Sequence, residues 1–358
     1  WVDDARLVAH KARDAADRGA AIATRTRYVA AERQDGLWRL TLEDRRRGER
    51  FEIAARALVN AAGPWVSEVM HGVAGIASPS PIRLVRGSHV VVERLFDHDR
   101  AYIFQNADGR ICFAIPYEGA FTLIGTTDED FHGDPATVRI TEAETDYLLA
   151  AVGEYLATPV TRDRIRWTYA GVRPLYDDGA SRAQEATRDY VLSLDAPDGM
   201  APLLSVFGGK ITTYRRLAEA ALARLAGTFP EMGAPWTRAA RLPGGDVGPA
   251  GFEAFARARI DAYPFLDPQL VLRLCHAYGT RIDRLLAGVG SEADLGVAFG
   301  AGLTRREVDH LVDDEWAETA EDILWRRSKL GLHIDAAGRA ALEAYLADRG
   351  FFAPPASS

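Results

Sequence analysis

Residues 203–222, LLSVFGGKITTYRRLAEAAL, run from a buried-looking strand through a Gly-Gly-Lys corner straight into a helix-spaced segment. A strand that hands over to a helix within three residues belongs to an α/β layer, where the turn sits at the strand's carboxyl end. A second strand, LVNAAGPW at 58–65, also runs out into small residues and Gly63 before a short helix. In open α/β sheets ligands lie beyond the carboxyl ends of strands, so two glycine-bearing exits point together to one binding edge.

The corner is not a phosphate loop of the nucleotide-triphosphatase kind. That motif needs a glycine where Leu204 stands and a hydroxyl residue where Ile211 follows the lysine. What remains is physical. Gly208 and Gly209 let backbone amides approach a ligand, and a helix starting near Thr212 or Thr213 presents unpaired N–H groups. The corner therefore suits a phosphate, a pyrophosphate or the edge of an electron-rich heterocycle. The bland alternative is a tight turn with an exposed Lys210.

Between about 80 and 175 the texture changes to short β-rich runs (RLVRGSHVVVE, AYIFQN, ICFAIPYE, FTLIGTTDE, IRWTYAGVRPL), broken by one helical segment, EAETDYLLAAVGEYL. This predicts a largely antiparallel sheet inserted between two parts of an α/β domain. Residues 3–18 predict a helix, Asp35-Gly36 a hairpin turn, LPGGDVGPAG at 242–251 a linker, and the chain beyond it a helical domain. The expected domains are 1–75 and 176–241 for the α/β part, 76–175 for the inserted sheet and 242–358 for the helices, with the FFAPPASS tail frayed. With 358 residues, the chain is long enough for two or three cores.

Net charge is −8, with 51 acidic against 43 basic residues, which argues against sequence-independent nucleic-acid binding while permitting a local cationic pocket. Cys112 and Cys275 supply neither a disulfide framework nor a metal quartet, in keeping with a reducing compartment. No apolar run approaches the roughly 20 residues of a membrane span, so any membrane contact is peripheral.

Three residues suit an anionic, hydroxylated substrate: His89 in RGSHVVV, Arg173 in YAGVRPL, and Lys210. Arginine matches phosphate bidentately and lysine supplies a compact charge. A lone histidine is more often structural, and Arg173 could simply clamp a loop. GVGSEA at 288–293 mimics a dinucleotide fingerprint but follows a helical segment. DEDFHG at 128–133 mimics a calcium loop but has His132 and Arg139 in place of oxygen ligands. His310 with Asp313 and Asp314 reads as a solvated helix face rather than a metal cluster. WRRSKLGLH at 325–333 fits lipid headgroups or a partner or, more simply, interhelical ion pairs within the C-terminal domain.

Taken in order, WVDDARLV, LVNAAGPWV, IRLVRGSHVVV, LIGTTDED, WTYAGVRPL, TRDYVLS, LLSVFGGKITTYRRLAE, LPGG and DEWAETAEDILWRRSKLGL resemble the flavin-dependent, quinone-linked glycerol-3-phosphate dehydrogenases, over nearly the whole chain. The resemblance implies a fold of the glutathione-reductase-like, D-amino-acid-oxidase-like kind, α/β with an α+β substrate domain and a C-terminal helical cap. It implies FAD, with Gly208, Gly209, Lys210, Ile211 and Thr212 along the ring system and Ala62 and Gly63 near the pyrophosphate. His89, Arg173 and Lys210 would face sn-glycerol 3-phosphate, with His89 as base because imidazole titrates near neutrality. A membrane quinone would accept the electrons at the cytoplasmic face of the inner membrane; a homodimer stays open.

One departure goes with it. The family's first βαβ unit, with its G-x-G-x-x-G, is not in these 358 residues, so the chain by itself is expected to bind FAD poorly and to be inactive. A related flavin oxidase on another hydroxy or amino substrate, or a non-catalytic assembly fragment, are the alternatives.

Overall fold

The computed structural model describes residues 3–76, 82–177 and 189–351, so all but Phe351 of the C-terminal tail expected to fray lies outside the described residues. The chain divides into two compact units, 25–238 and a second made of 1–24 with 239–358. Helix α1 (Asp4–Asp17) belongs to the second unit.

In the first unit, β1 (Thr26–Gln34), β2 (Leu37–Asp44) and β3 (Glu49–Ala55) form an antiparallel meander. The β1–β2 turn has positive φ at both Asp35 (53°) and Gly36 (73°), the conformation that Asp-Gly favours in two-residue hairpins. Trp38 is buried and its Nε1 donates to the Pro202 carbonyl at 2.9 Å, fixing this meander to the segment entering the Gly-Gly-Lys strand.

Strand β4 (Leu58–Asn60) leads into a 3-10 turn at Gly63–Trp65. The inserted sheet follows: β5 (Ile82–Glu93), β6 (Tyr102–Gln105), β7 (Ile111–Tyr117), β8 (Phe121–Gly125), the short β9 (Glu129–Asp130) and β10 (Ile165–Tyr176). Its order is β10-β5-β8-β7-β6, with β9 on β5, and every pairing is antiparallel. Helix α2 (Glu142–Gly153) closes one face by burying Leu148, Leu149 and Val152 against Val90, Val92, Ala114 and Ile124. At about 25 cal/mol per Å2 of apolar area, such burial is the main force holding the layers. The segment resembling a calcium loop contains the two-residue β9 on β5, and its Asp130 pairs with Arg83 at 2.6 Å.

The chain then returns through β11 (Tyr190–Asp195) and β12 (Leu203–Gly208) to a 3-10 turn at Ile211–Thr213 and helix α3 (Tyr214–Arg224). Sheet order is β11-β12-β4, with β12 parallel to β4.

The second unit is helical: α4 (Gly251–Ala262), α5 (Pro268–Tyr278), a β13 (Ala298–Gly300) and β14 (Leu303–Thr304) hairpin, α6 (Arg305–Glu315) and α7 (Ala336–Asp348) share one core, and α1 belongs to the same unit. The assignment of α1 differs from the expectation that residues 1–75 go with the α/β part. The reason is electrostatic: the buried Arg6 guanidinium donates to both Glu315 oxygens, at 2.5 and 2.7 Å, and to the Ala277 carbonyl at 3.0 Å. The LPGG segment, read as part of a linker, is held within the second unit against the residue that follows α5. A Cβ on Gly279 would stand 2.0 Å from the Gly244 carbonyl oxygen, which accepts from Thr280 N at 2.9 Å.

The basic-aromatic patch is engaged within its own unit. Arg327 Nη2 donates to the Glu315 carbonyl at 2.7 Å, Lys329 to the Trp325 carbonyl, and the Trp325 ring packs where a side chain on Gly331 would be. The intramolecular reading of that patch agrees with these contacts. Among the described residues no helix is long and apolar enough to cross a membrane.

Candidate functional site

Because β4 and β12 are parallel, with Leu58 opposite Leu203 and Asn60 opposite Ser205, their carboxyl ends leave the sheet at one edge. Gly63 (φ 57°), Gly208 (φ 69°) and Gly209 (φ 97°) all adopt the left-handed region there. Buried Asn60 shapes the first exit, its Nδ2 donating to the Val66 carbonyl at 2.9 Å and its Oδ1 accepting from Ala62 N at 3.3 Å. At the second, a side chain on Gly208 would press on the Asp189 carbonyl at 3.0 Å and lie 3.6 Å from the Pro174 carbonyl. The Gly-Gly-Lys corner therefore abuts strand β10 one residue beyond Arg173. Gly209, Lys210, Ile211 and Thr212 are exposed.

On the inserted sheet, register sets which side chains share a face. Tyr169 lies opposite His89 and Arg173 opposite Val85, while His89 also lies opposite Gly125 on β8. Directly paired residues point the same way and the pleat alternates, so Tyr169, Gly171, Arg173, Gly87, His89 and Gly125 line one face. Glycines hollow it. The Arg173 guanidinium fills the space over Gly87, and the His89 ring fills that over Gly125, where an added Cβ would stand 2.1 Å from Cδ2. Over Gly171 nothing lies within 4 Å among the described residues.

His89 stacks on Tyr169, with ring centroids 4.8 Å apart and planes 6° from parallel. Its Nδ1 is buried and has no hydrogen-bond partner among the described residues. Burial, reinforced by the positive charge of Arg173, pushes the imidazole pKa down to about 4. That corrects one expectation: His89 does not titrate near neutrality, and stays uncharged there. Arg173 is held rather than loose. It donates to Asp128 Oδ1 at 2.8 Å, to the Thr127 carbonyl at 3.3 Å and to Thr126 Oγ1 at 2.9 Å.

The structure thus brings His89 and Arg173 together and sets the glycine corner against the same strand. Lys210 is not joined to them: its side chain is exposed and makes no hydrogen bond or ion pair among the described residues, while its carbonyl accepts from Thr213. Sequence reasoning missed Thr126, Thr127 and Asp128 as the cradle of Arg173, and Asn60 as the shaper of the first exit. Only the resemblance of LIGTTDED pointed at the former. A cleft of about 500 Å3 in the helical unit is lined mainly by apolar groups such as Phe252, Ile260 and Leu272, with Glu253, Arg257 and His276 among them.

Glycine exits with left-handed backbone fit the edge of a large flat cofactor, because side chains at Gly208 or Gly63 would be strained or obstructive. Parallel exits of this kind, in one unit with an antiparallel sheet presenting a histidine–arginine pair, define a redox enzyme of the dinucleotide-cofactor class. Comparison with known proteins gives the family. Residues 1–215 match the family model of FAD dependent oxidoreductases, and residues 235–347 that of the C-terminal domain of alpha-glycerophosphate oxidase. The glycerol-3-phosphate dehydrogenase of Pseudomonas aeruginosa is 51% identical over 345 residues, 96% of this chain and 67% of that protein. The D-erythritol 1-phosphate dehydrogenase of Brucella abortus is 47% identical over 95% of this chain and 68% of its own length. The solved glycerol-3-phosphate dehydrogenase of Bacillus halodurans, complexed with FAD, superposes with a TM-score of 0.78 at 29% identity, covering 97% of this chain and 67% of that one.

The chain belongs to the FAD-dependent oxidoreductase family, in the form that carries a helical C-terminal domain. The fold class and the cofactor expected from sequence are those of this family.

Proposed function

We propose that the protein oxidises sn-glycerol 3-phosphate to dihydroxyacetone phosphate, within an enzyme that passes the electrons to a membrane quinone by peripheral contact. The observation that carries this reading is the adjacency of His89 and Arg173 on a glycine-hollowed sheet face, with the flavin-suited corner abutting the same strand. FAD, when bound, supplies the hydride acceptor. Gly208, Gly209, Lys210, Ile211 and Thr212 would line its ring system, and Ala62 and Gly63 its pyrophosphate.

The chain's own residues divide the remaining work. Arg173, held by Thr126 and Asp128, presents a planar cation to the substrate phosphate, and exposed Lys210 adds a mobile charge. His89 accepts the C2 hydroxyl proton. It is neutral at pH 7, as a base must be, but Arg173 beside it opposes protonation. A phosphate dianion on Arg173 offsets that repulsion, so the base strengthens once substrate is seated.

The 47% identity to a D-erythritol 1-phosphate dehydrogenase favours a second substrate of the same chemistry, a longer polyol phosphate. Flavin bleaching on anaerobic mixing separates the readings. Reduction by sn-glycerol 3-phosphate but not by glycerol or amino acids is expected. Equal reduction by glycerol would overturn phosphate recognition, and faster reduction by D-erythritol 1-phosphate would move the assignment to it.

A further inference from the structure

Helix α2 opens with Thr141-Glu142-Ala143-Glu144, a capping box in which the glutamate reaches back to the N-cap residue. Glu144 does so with Oε2, which accepts from Thr141 N and Thr141 Oγ1, both at 2.9 Å. Capping needs nothing more, and such glutamates ordinarily stay at the surface. This one is buried, 5% exposed. Its other oxygen, Oε1, turns inward to accept from Ser88 Oγ at 2.9 Å, Thr127 Oγ1 at 2.8 Å and Arg86 Nε at 3.0 Å. Ser88 and Thr127 are wholly buried, and Ser88 N donates to Thr127 Oγ1 at 2.9 Å. Burial pushes the Glu144 carboxyl up, but the bonds from Thr141, Thr127 and Ser88 outweigh it, and the group stays ionised.

Both ends of this network reach the site. Ser88 precedes His89 on β5. Thr127 is the centre of the three-residue cradle whose Thr126 hydroxyl, Thr127 carbonyl and Asp128 carboxylate hold Arg173. Burying a carboxylate is costly, here offset by the Arg86 guanidinium and the hydroxyl donors, and a neutral acceptor would serve the cap alone.

We propose that Glu144 is a positioning residue: through Ser88 and Thr127 it holds the His89 imidazole and the Arg173 guanidinium in register, touching neither substrate nor cofactor. The inference rests on the proposed reaction for its ligand but not for its geometry, and two readouts keep these apart.

The first needs no ligand. The His89 titration midpoint, followed by NMR of 13C-labelled histidine in the full chain, should rise by at least half a pH unit in Glu144→Gln, as the cradle loosens and water enters. Thr141→Ala is the control, since it weakens the same helix cap but leaves the Oε1 bonds in place; its midpoint should not move. The second readout is calorimetric affinity for sn-glycerol 3-phosphate, expected to weaken about tenfold in Glu144→Gln and less than twofold in Thr141→Ala. Should Glu144→Gln fail to fold, Thr127→Val cuts the link while keeping the cap, and should reproduce both shifts.

Equal responses to Glu144→Gln and Thr141→Ala, or an unmoved His89 midpoint in Glu144→Gln, would overturn the proposal. A wild-type chain that ignores sn-glycerol 3-phosphate while His89 still responds to Glu144→Gln would sink the substrate reading and leave the positioning role standing.

Discussion

The Arg173 guanidinium occupies the space that a side chain on Gly87 would take: a Cβ there would stand 2.3 Å from Nη2 and 2.5 Å from Cζ. Gly87 is buried and Arg173 is bonded to Asp128, so a guanidinium displaced by a side chain at Gly87 would have to leave the cradle formed by Thr126, Thr127 and Asp128. Gly87→Ala is expected to displace it and weaken substrate binding at least tenfold, ~1.4 kcal/mol. Affinity by calorimetry checks this, and an unchanged value would mean that Arg173 does not bind the phosphate.

The depressed pKa of His89 gives stability a pH dependence of known sign. Between about 6.5 and 4 the unfolded chain binds a proton at this position that the folded chain does not. Stability is therefore fully present above that window, falls as pH drops through it, and levels off below. Each tenfold change in proton affinity is worth ~1.4 kcal/mol, so His89 accounts for about 3–4 kcal/mol at most. Denaturant titrations of wild type and His89→Asn across pH 4–7 should differ by a slope confined to this interval. His10, His276 and His310 are also depressed and contribute to both curves, so the difference isolates His89.

Lys210 is exposed and unbonded among the described residues, so its role separates cleanly from folding. Lys210→Ala should leave the unfolding free energy within about 0.5 kcal/mol, as for other surface substitutions. Ligand affinity should nevertheless fall severalfold, most visibly at low ionic strength where an exposed charge is least screened. A variant with full affinity would reduce the lysine to a solvated turn residue.

Gly208 joins backbone strain to cofactor approach. With φ 69° and the Asp189 carbonyl 3.0 Å from any Cβ, Gly208→Ala should cost about 1–2 kcal/mol of stability and lower the flavin-to-protein absorbance ratio after reconstitution with FAD. Loss of stability with undiminished flavin would place the cofactor away from this corner.

Much of this was legible from residues alone, for identifiable reasons. Asp35-Gly36 declares its hairpin because few other pairs tolerate two positive φ values, and the short β-rich runs between 80 and 175 declare strands because β-branched and aromatic residues suit a sheet with one face buried under α2. Both glycine exits were visible because a sharp exit requires glycine. The environment of each site residue was not. Nothing in RGSHVVV says that His89 is stacked on Tyr169, 80 positions away, or that Arg173 lies close enough to depress it, since both facts come from long-range register. The placement of α1 was hidden for the same reason: Arg6 and Glu315 are 309 residues apart in the chain.

That last pair carries the strongest stability prediction. Arg6 and Glu315 are both buried and bonded through two oxygens, and the Arg6 guanidinium also caps the Ala277 carbonyl at the end of α5. Breaking one side of a buried pair leaves an uncompensated charge, which costs more than the pair contributes intact. Arg6→Ala should therefore destabilise the helical unit by about 3–5 kcal/mol and release α1. Arg13→Ala, on the same helix but pairing with the more exposed Asp17 at 2.7 Å, should cost about 1 kcal/mol or less. Urea unfolding with hydrogen exchange over residues 4–17 reads both quantities. Protected α1 amides in Arg6→Ala would show that its apolar contacts, not the buried ion pair, hold this helix in the unit.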